Sequence, residues 1–309
     1  MARDLCGFQA QDGPVLVTGA AGFAGRALME MFELGPGDFA ADLTDEFQAP
    51  AGVTKLAWPL PGPPPGIQGP VRYVVHLAGL SSVAHSASGE ERVLQVNAGG
   101  TESVARWVRE RSPGARILFA SSAEVYRPDQ GRLHEDSPLE PRSPYGKSKL
   151  LAESVLAGSG TDWVVGRSFP HFGPGQEGHF VLPSFCRRIV NALKEGSREI
   201  RTGNLEAVRD YLYIEDVVRA YGCILARGRS AAFYNVCSGS GNSIGELLRK
   251  LLGIAGGELE AVTDPGLLRN RDQYCQVGDP SRLEGLGWRR EISLERGLEL
   301  LYKWWEERL

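Results

Sequence analysis

Cysteine is sparse and unpatterned: five residues, Cys6, Cys186, Cys223, Cys237 and Cys275, with no CxxC spacing. An odd, scattered set supports neither a zinc site nor a disulfide framework, and it predicts reduced thiols that serve as packing residues. Histidine is equally thin, with five residues and neither an HxH nor an HExxH pattern, so no metal centre is expected. Long apolar runs are missing too. No stretch approaches the ~18–20 residues that a membrane helix requires. The first residues carry an early Asp4 and no apolar segment, unlike a secretory signal, which predicts a cytoplasmic protein without a membrane partner. Basic excess is also absent. The 34 Lys+Arg and 38 Asp+Glu give 34 − 38 = −4, which argues against a sequence-independent grip on nucleic acid.

Of the 309 residues, 42% are hydrophobic, enough for a sizeable core and too many for a disordered chain. Glycine stands out, at 39 residues with no collagen-like period. Short apolar runs alternate with helical patterns through the first half. Strands are expected at Pro14–Thr18, Asp38–Asp42, Val71–Leu77, Arg116–Ala120 and Trp163–Gly166, with a helix over Thr101–Arg111. That alternation predicts an α/β fold, a Rossmann-type doubly wound parallel sheet. Later helices are expected at Ser184–Lys194, Ile214–Ala226, Ile244–Leu252 and Leu294–Glu307. The expected division is a Rossmann core over residues 14–170, with segments near 205–240 returning to it, and a smaller substrate-binding cap over 171–309. Pro59 to Pro70 holds six Pro and three Gly in twelve residues. It reads as a surface loop rather than a linker, because strands of one sheet lie on both sides.

The run from Thr18 to Gly25 is a GxxGxxG between a strand and a helix. Gly19 would permit the tight turn, Gly22 the approach of a pyrophosphate and Gly25 the close packing of helix on strand. Phe23 and Ala24 would open a helix whose N-terminus favours phosphate. Asp42 follows the middle glycine by 42 − 22 = 20 positions, where a carboxylate reads the adenosine ribose; its charge leans towards NADH over NADPH.

Tyr145 and Lys149 stand at i and i+4, on one helix face. A phenol near pKa 10 is a poor acid–base at neutral pH, and a neighbouring ammonium is expected to lower it. The strand Arg116–Ala120 delivers Ser121 and Ser122 to its C-terminal end, where ligands collect in open α/β sheets. Alone, Tyr-x-x-x-Lys reads as a solvated face. Together with the glycine turn and the strand-end serines it reads as a redox site.

With TGAAGFAG, HLAGLSSV (76–83), NAGGT (97–101), SSAEVY (121–126), SPYGKSK (143–149), GPGQ (173–176) and RDYLYIEDVVRAY (209–221) in this order, the chain resembles the extended short-chain dehydrogenase/reductases, the NAD-dependent epimerase/dehydratase family. The likeness runs from Pro14 to Arg308. Within the family it is greatest to GDP-4-keto-6-deoxy-D-mannose reductases, through the runs Gly203–Asp210, Tyr234–Gly239 and Leu268–Asp272. The resemblance implies a catalytic Ser122, Tyr145 and Lys149, with Tyr145 exchanging a proton at the sugar 4-position. It implies Leu77, Ala78, Gly79 and Asn97 along an NAD(P)H cofactor. It also implies Ser82, Arg209, Arg269 and Asp272 against a nucleotide-sugar substrate, Arg209 on the diphosphate and Asp272 on the ribose. The reaction implied converts GDP-4-keto-6-deoxy-D-mannose to GDP-D-rhamnose, in a homodimer formed by a four-helix bundle.

Several residues depart from the family pattern. Arg127 follows Tyr126 where relatives have Gly, Pro170 stands where they carry an Asn, and Asn270 replaces a Pro. The Pro-rich loop replaces a segment that usually carries an Asp near the adenine. Glu124, two positions after Ser122, matches the carboxylate that 4,6-dehydratases use, so a 4,6-dehydratase or 4-epimerase holding NAD tightly is the alternative. A dinucleotide sensor without turnover is the alternative of another class. His171 and His179 are expected near the mouth of the site, and His76 in a structural role.

Overall fold

The structure is a computed structural model that describes residues 5–80, 89–128, 131–256, 259–267 and 275–309. Ser82, Arg269, Asn270 and Asp272 lie outside the described residues.

Seven strands form one parallel sheet: β1 (Val15–Thr18), β2 (Phe39–Asp42), β3 (Thr54–Ala57), β4 (Tyr73–His76), β5 (Arg116–Ser122), β6 (Asp162–Ser168) and β7 (Ala232–Val236). Their order is β7-β6-β5-β4-β1-β2-β3, so the chain reverses direction on either side of β1. In such a sheet the crevice outside the strand ends at that reversal is where a dinucleotide lies. β1 and β4 are buried along their whole length, as strands covered by helices on both faces must be. The fold class is that of the sequence expectation, a Rossmann-type α/β sheet.

β3 and β7 went unrecognised as strands. β3 is the sheet edge, mostly exposed, and Thr-Lys-Leu-Ala carries no apolar run. β7 owes its place to pairing with β6, from Ala232 against Val164 to Val236 against Ser168. Of the helices, α1 (Phe23–Met31), α4 (Pro144–Ala157) and α6 (Ile214–Arg227) pack on the sheet, α2 (Gly89–Leu94) and α3 (Gly100–Arg111) on α4, and α5 (Val181–Lys194) on the C-terminal helices. The chain then adds α7 (Ile244–Ala255), the short α8 (Ser281–Glu284) and α9 (Leu294–Glu306). A separate small sheet joins Arg132–Leu133, Val208–Asp210, Gly241–Ser243 and Cys275–Gly278.

Asp210 ties that small sheet together. Its buried carboxylate accepts from the Ser238 hydroxyl at 2.6 Å and from the amides of Ser238, Gly239 and Gly278. Asp216 does the same for the C-terminal segment, accepting from the amides of Glu291 and Ile292. The Pro-rich stretch is a packed loop. Its Gly62 carbonyl accepts from Trp58 Nε1 at 3.1 Å and its Pro61 carbonyl from Ser103 Oγ at 3.0 Å.

The expectation of unpaired thiols is corrected: Cys6 and Cys223 are joined as a disulfide with Cα atoms 4.9 Å apart. It fastens the buried segment Leu5–Phe8 to α6, where Gly222 leaves room for Leu5. Five cysteines contain no cue to a pair separated by 217 positions. Cys186, Cys237 and Cys275 are free.

Candidate active site

The glycine turn follows from space as much as from sequence. Gly19 has φ +74°, and a Cβ there would sit 2.6 Å from the Ala78 backbone nitrogen, between the ends of β1 and β4. A Cβ on Gly25 would strike the carbonyl of Gly19. Gly22 differs. It is the N-cap of α1 at φ −67°, and the nearest atom to a Cβ there is the Gly19 carbonyl oxygen, at 3.2 Å. No side chain caps α1, so the first-turn amides keep the positive end of the helix available to an anion.

This turn opens into a cavity of about 640 Å³. Gly19, Gly22, Phe23, Ala24, Gly25, Leu77 and Gly79 line it at the turn, with His171 against Phe23; Ser122, Glu124, Tyr145 and Lys149 line it as well, together with His179 and Phe180. The turn, the β4 end and the acid–base residues predicted from separate motifs therefore share one crevice. The uncapped start of α1 at Gly22 suits a phosphate, and Tyr145 and Lys149 line the same cavity. The residues present fit a dinucleotide.

Asp42 ends β2 beside the turn. One carboxylate oxygen accepts from the Ala21 amide and the other from the Leu43 amide, each at 2.8 Å. Asn97 is 1% exposed, in a single π-helical turn, Gln95–Gly99, leading into α3. Its side chain accepts from the Leu80 amide at 2.8 Å and donates to the Ser148 hydroxyl at 2.8 Å, so it joins the β4 loop to α4. A Cβ on Gly79 would come within 2.7 Å of that Asn97 oxygen. His76 is buried and neutral, its pKa pushed down to about 3 by burial and by the Lys149 charge. Thr101 gives its proton to the Asn97 carbonyl, so His76 donates from Nε2 to Thr101 and accepts at Nδ1 from Thr18.

Ser143 caps α4, accepting from the Gly146 amide at 2.9 Å, and donates its own proton to Glu124. Tyr145 and Lys149 follow on one face. Ser122 hydrogen-bonds the Tyr145 hydroxyl. Lys149 Nζ donates to the Ala120 carbonyl at 2.8 Å and sits 4.7 Å from the Phe119 ring centre and 5.9 Å from that of Tyr145. Burial holds Tyr145 above its ordinary value, and the Glu124 charge raises it further. Burial lowers Lys149 to about 8. The sequence expectation of a tyrosine lowered by its lysine is thus reversed in this structure, because the ammonium is turned to β5 and desolvation of the phenol outweighs it.

Several sequence candidates stay outside the cavity lining. Arg209 lies half-buried on strand 208–210 and donates to the Val208 carbonyl at 2.9 Å. Ala78 and Asp42 border the turn without lining the cavity. Arg127 takes no positive φ: its amide donates to the Pro138 carbonyl at 2.8 Å, so the absent glycine is not required there. Pro170 lines the cavity, and its carbonyl accepts from the Leu212 amide.

Of the other lining residues, His171 was expected near the mouth of the site, whereas Tyr221 carried no signal of its own in the sequence. Tyr221 hydrogen-bonds Ser168 at 2.8 Å, and on an amphipathic helix it looks like any core aromatic. His171 stacks on Phe23 with 6.0 Å between ring centres. Tyr211, Gln176 and Gln276 also line the cavity.

A Rossmann sheet with this crevice, carrying Ser122, Tyr145 and Lys149, defines an extended short-chain dehydrogenase/reductase, an enzyme that uses a nicotinamide cofactor. Residues 68–301 match the family described as GDP-mannose 4,6 dehydratase, and the chain belongs to it. The GDP-6-deoxy-D-mannose reductase of Pseudomonas aeruginosa is 36% identical over 76% of this chain and 81% of its own length. A Streptomyces griseus dTDP-glucose 4,6-dehydratase is 30% identical over 95% of this chain and 94% of its own. Among solved structures, RMD from Pseudomonas aeruginosa complexed with NADPH aligns with a TM-score of 0.77 at 30% identity, covering 96% of this chain and all of that one (100%). The chain is therefore a nucleotide-sugar enzyme of the reductase, dehydratase and epimerase group.

Proposed function

We propose that the protein reduces the 4-keto group of a nucleotide-linked 4-keto-6-deoxy sugar, taking GDP-4-keto-6-deoxy-D-mannose to GDP-D-rhamnose. The observation that carries this reading is the convergence of Ser122, Tyr145 and Lys149 on one cavity with the phosphate turn. The 36% identity to the Pseudomonas reductase supports the choice of substrate. The nicotinamide, when bound, supplies the hydride. Ser122 would orient the sugar 4-oxygen, Tyr145 would donate its proton to the forming alkoxide, and Lys149 would hold the cofactor ribose. Placing a poor phenolic acid where negative charge develops is an electrostatic and positional contribution. Asp42, 20 positions after Gly22 and followed by Asp45 and Glu46, is the acidic group that supports NADH over NADPH.

Glu124 supports a second reading. It lines the cavity two positions after Ser122, accepts a hydrogen bond from Ser143 and acts electrostatically on Tyr145, the place where 4,6-dehydratases carry their acid–base carboxylate. Supplying GDP-4-keto-6-deoxy-D-mannose with NADH or NADPH separates the two. Stoichiometric consumption of the reductant is the expected result. A 4-keto product from GDP-mannose, with no reductant consumed, would establish the dehydratase instead.

In our reading the chain works in the cytoplasm as a homodimer, pairing α3 and α4 with their copies in a four-helix bundle. Leu151, a large apolar side chain 46% exposed on α4, supports that face. A monomer by light scattering at micromolar concentration would contradict it.

A further inference from the structure

We propose that Glu153 is a positioning residue of the reaction: fixed by Arg167 and Ser121 one helical turn beyond Lys149, it sets a buried negative charge behind the Lys149 ammonium and keeps α4 in register with the strand end that carries Ser122. The inference rests on the redox reading of Tyr145 and Lys149 given above.

Glu153 continues their stripe by one more turn, so Tyr145, Lys149 and Glu153 stand at i, i+4 and i+8 of α4. Its side chain is 3% exposed and that of Arg167 is 2% exposed. Both carboxylate oxygens are committed. Oε1 accepts from Ser121 Oγ at 2.6 Å and from Arg167 Nε at 3.0 Å, and Oε2 accepts from Arg167 Nη2 at 2.8 Å. The sheet register sets Arg167 of β6 directly against Ser121 of β5, next to the Ser122–Ser168 pair. One carboxylate therefore binds α4 to two adjacent strands beside the acid–base pair.

Arg167 is held in turn. Its Nη1 donates to Tyr126 Oη at 3.2 Å and to the Glu135 carbonyl at 2.9 Å, and its guanidinium lies 4.4 Å from the Phe233 ring centre. A bidentate fork of this kind fixes angle as well as distance. Stability alone accounts poorly for such a pair, because well-packed apolar residues often serve as well or better in its place.

The charges around Lys149 show what the pair does. From α4 it faces Tyr145 and Glu153. From β4 it faces His76, which is neutral, and from β5 only the Phe119 ring and the Ala120 carbonyl. Arg167 stands behind Glu153 on β6, and Glu124 lies beyond Tyr145. Glu153 is the group that raises Lys149 against the desolvation that lowers it. Without that carboxylate the ammonium would sit in an apolar wall beside an uncompensated guanidinium.

The test follows Lys149 directly by NMR in protein carrying carbon-labelled lysine, the signal being assigned by its loss in Lys149→Arg. No substrate is needed, so failure of this proposal is distinct from failure of the proposed reaction. In wild-type protein the expected midpoint is about 8. In Glu153→Gln it is expected to fall by about one pH unit, roughly a tenfold loss of ammonium well above the wild-type midpoint. Glu153→Asp is expected to restore most of it. Should Glu153→Gln not fold, Glu153→Gln/Arg167→Met removes the unpaired cation and is expected to show a smaller shift in the same direction. On substrate, the basic limb of kcat would move down with the Lys149 midpoint while KM holds. An unchanged Lys149 midpoint in whichever of these variants folds would overturn the proposal.

Discussion

Alanine at Gly19 and at Gly22 should have different consequences, although both lie in one turn. At Gly19 the backbone has φ +74°, which costs a side-chain-bearing residue about 1–2 kcal/mol. The new Cβ would also meet the Ala78 nitrogen at 2.6 Å and the Leu77 carbonyl carbon at 2.8 Å, backbone atoms that cannot swing aside. Forcing a methyl into a packed site adds about 1–3 kcal/mol, for a total of about 2–5 kcal/mol. Stability of about 5–15 kcal/mol leaves the chain folded, with a Tm lower by several degrees and weaker cofactor binding. At Gly22, φ is −67° and a Cβ would meet the Gly19 carbonyl oxygen at 3.2 Å, a tight contact at an N-cap but without the left-handed strain, so alanine should lower Tm by less than it does at Gly19. Its methyl would occupy the place of a phosphate oxygen and weaken cofactor binding at least about tenfold, or 1.4 kcal/mol. Thermal melts and cofactor titration of the two variants read both quantities. Wild-type cofactor affinity in Gly22→Ala would refute the phosphate-cradle assignment.

Removing Arg167 alone, as Arg167→Met, should destabilise the protein by about 3–5 kcal/mol by stranding the buried Glu153 carboxylate, whereas the double variant Arg167→Met/Glu153→Gln should lose much less; urea melts of both decide. Lys149 gives a pH-dependent test. It releases its proton near pH 8 when folded and near 10.5 when unfolded, so the unfolded state binds more protons between those values and wild-type stability rises there with pH. Lys149→Met should therefore be more stable than wild type at pH 7, and its advantage should shrink between pH 8 and 10.5; a constant difference across that window would refute the buried ammonium. Tyr145→Phe should abolish turnover while leaving cofactor affinity unchanged, and unaltered cellular function in that variant would favour the sensor reading. Leu151→Glu should give a monomer by light scattering if the α3–α4 face joins two copies.

The parts legible in sequence were those fixed by local chemistry. The GxxGxxG turn, the Tyr145–Lys149 spacing and the strand-end serines each carry their reason within a few residues, and the fold brings all three to one crevice. Strands β1, β2, β4, β5 and β6 were visible as apolar runs, whereas the edge strand β3 shows none. Relations between distant segments left no local mark. The Cys6–Cys223 bond, the Glu153–Arg167 pair and the Tyr221–Ser168 contact exist because the sheet order brings residues 217, 14 and 53 positions apart together. The direction of the Tyr145 shift was misjudged for a related reason: spacing reveals the lysine, while burial is set by the whole wall of the cavity.

Transfer of a deuteride from nicotinamide C4 to the sugar tests the central claim most directly. With GDP-4-keto-6-deoxy-D-mannose and reductant deuterated at that carbon, NMR of the product should show the label at sugar C4 in one configuration, with none transferred by Tyr145→Phe. A wild-type product unlabelled at C4, or label retained in the cofactor while GDP-mannose is converted to a 4-keto sugar, would contradict it.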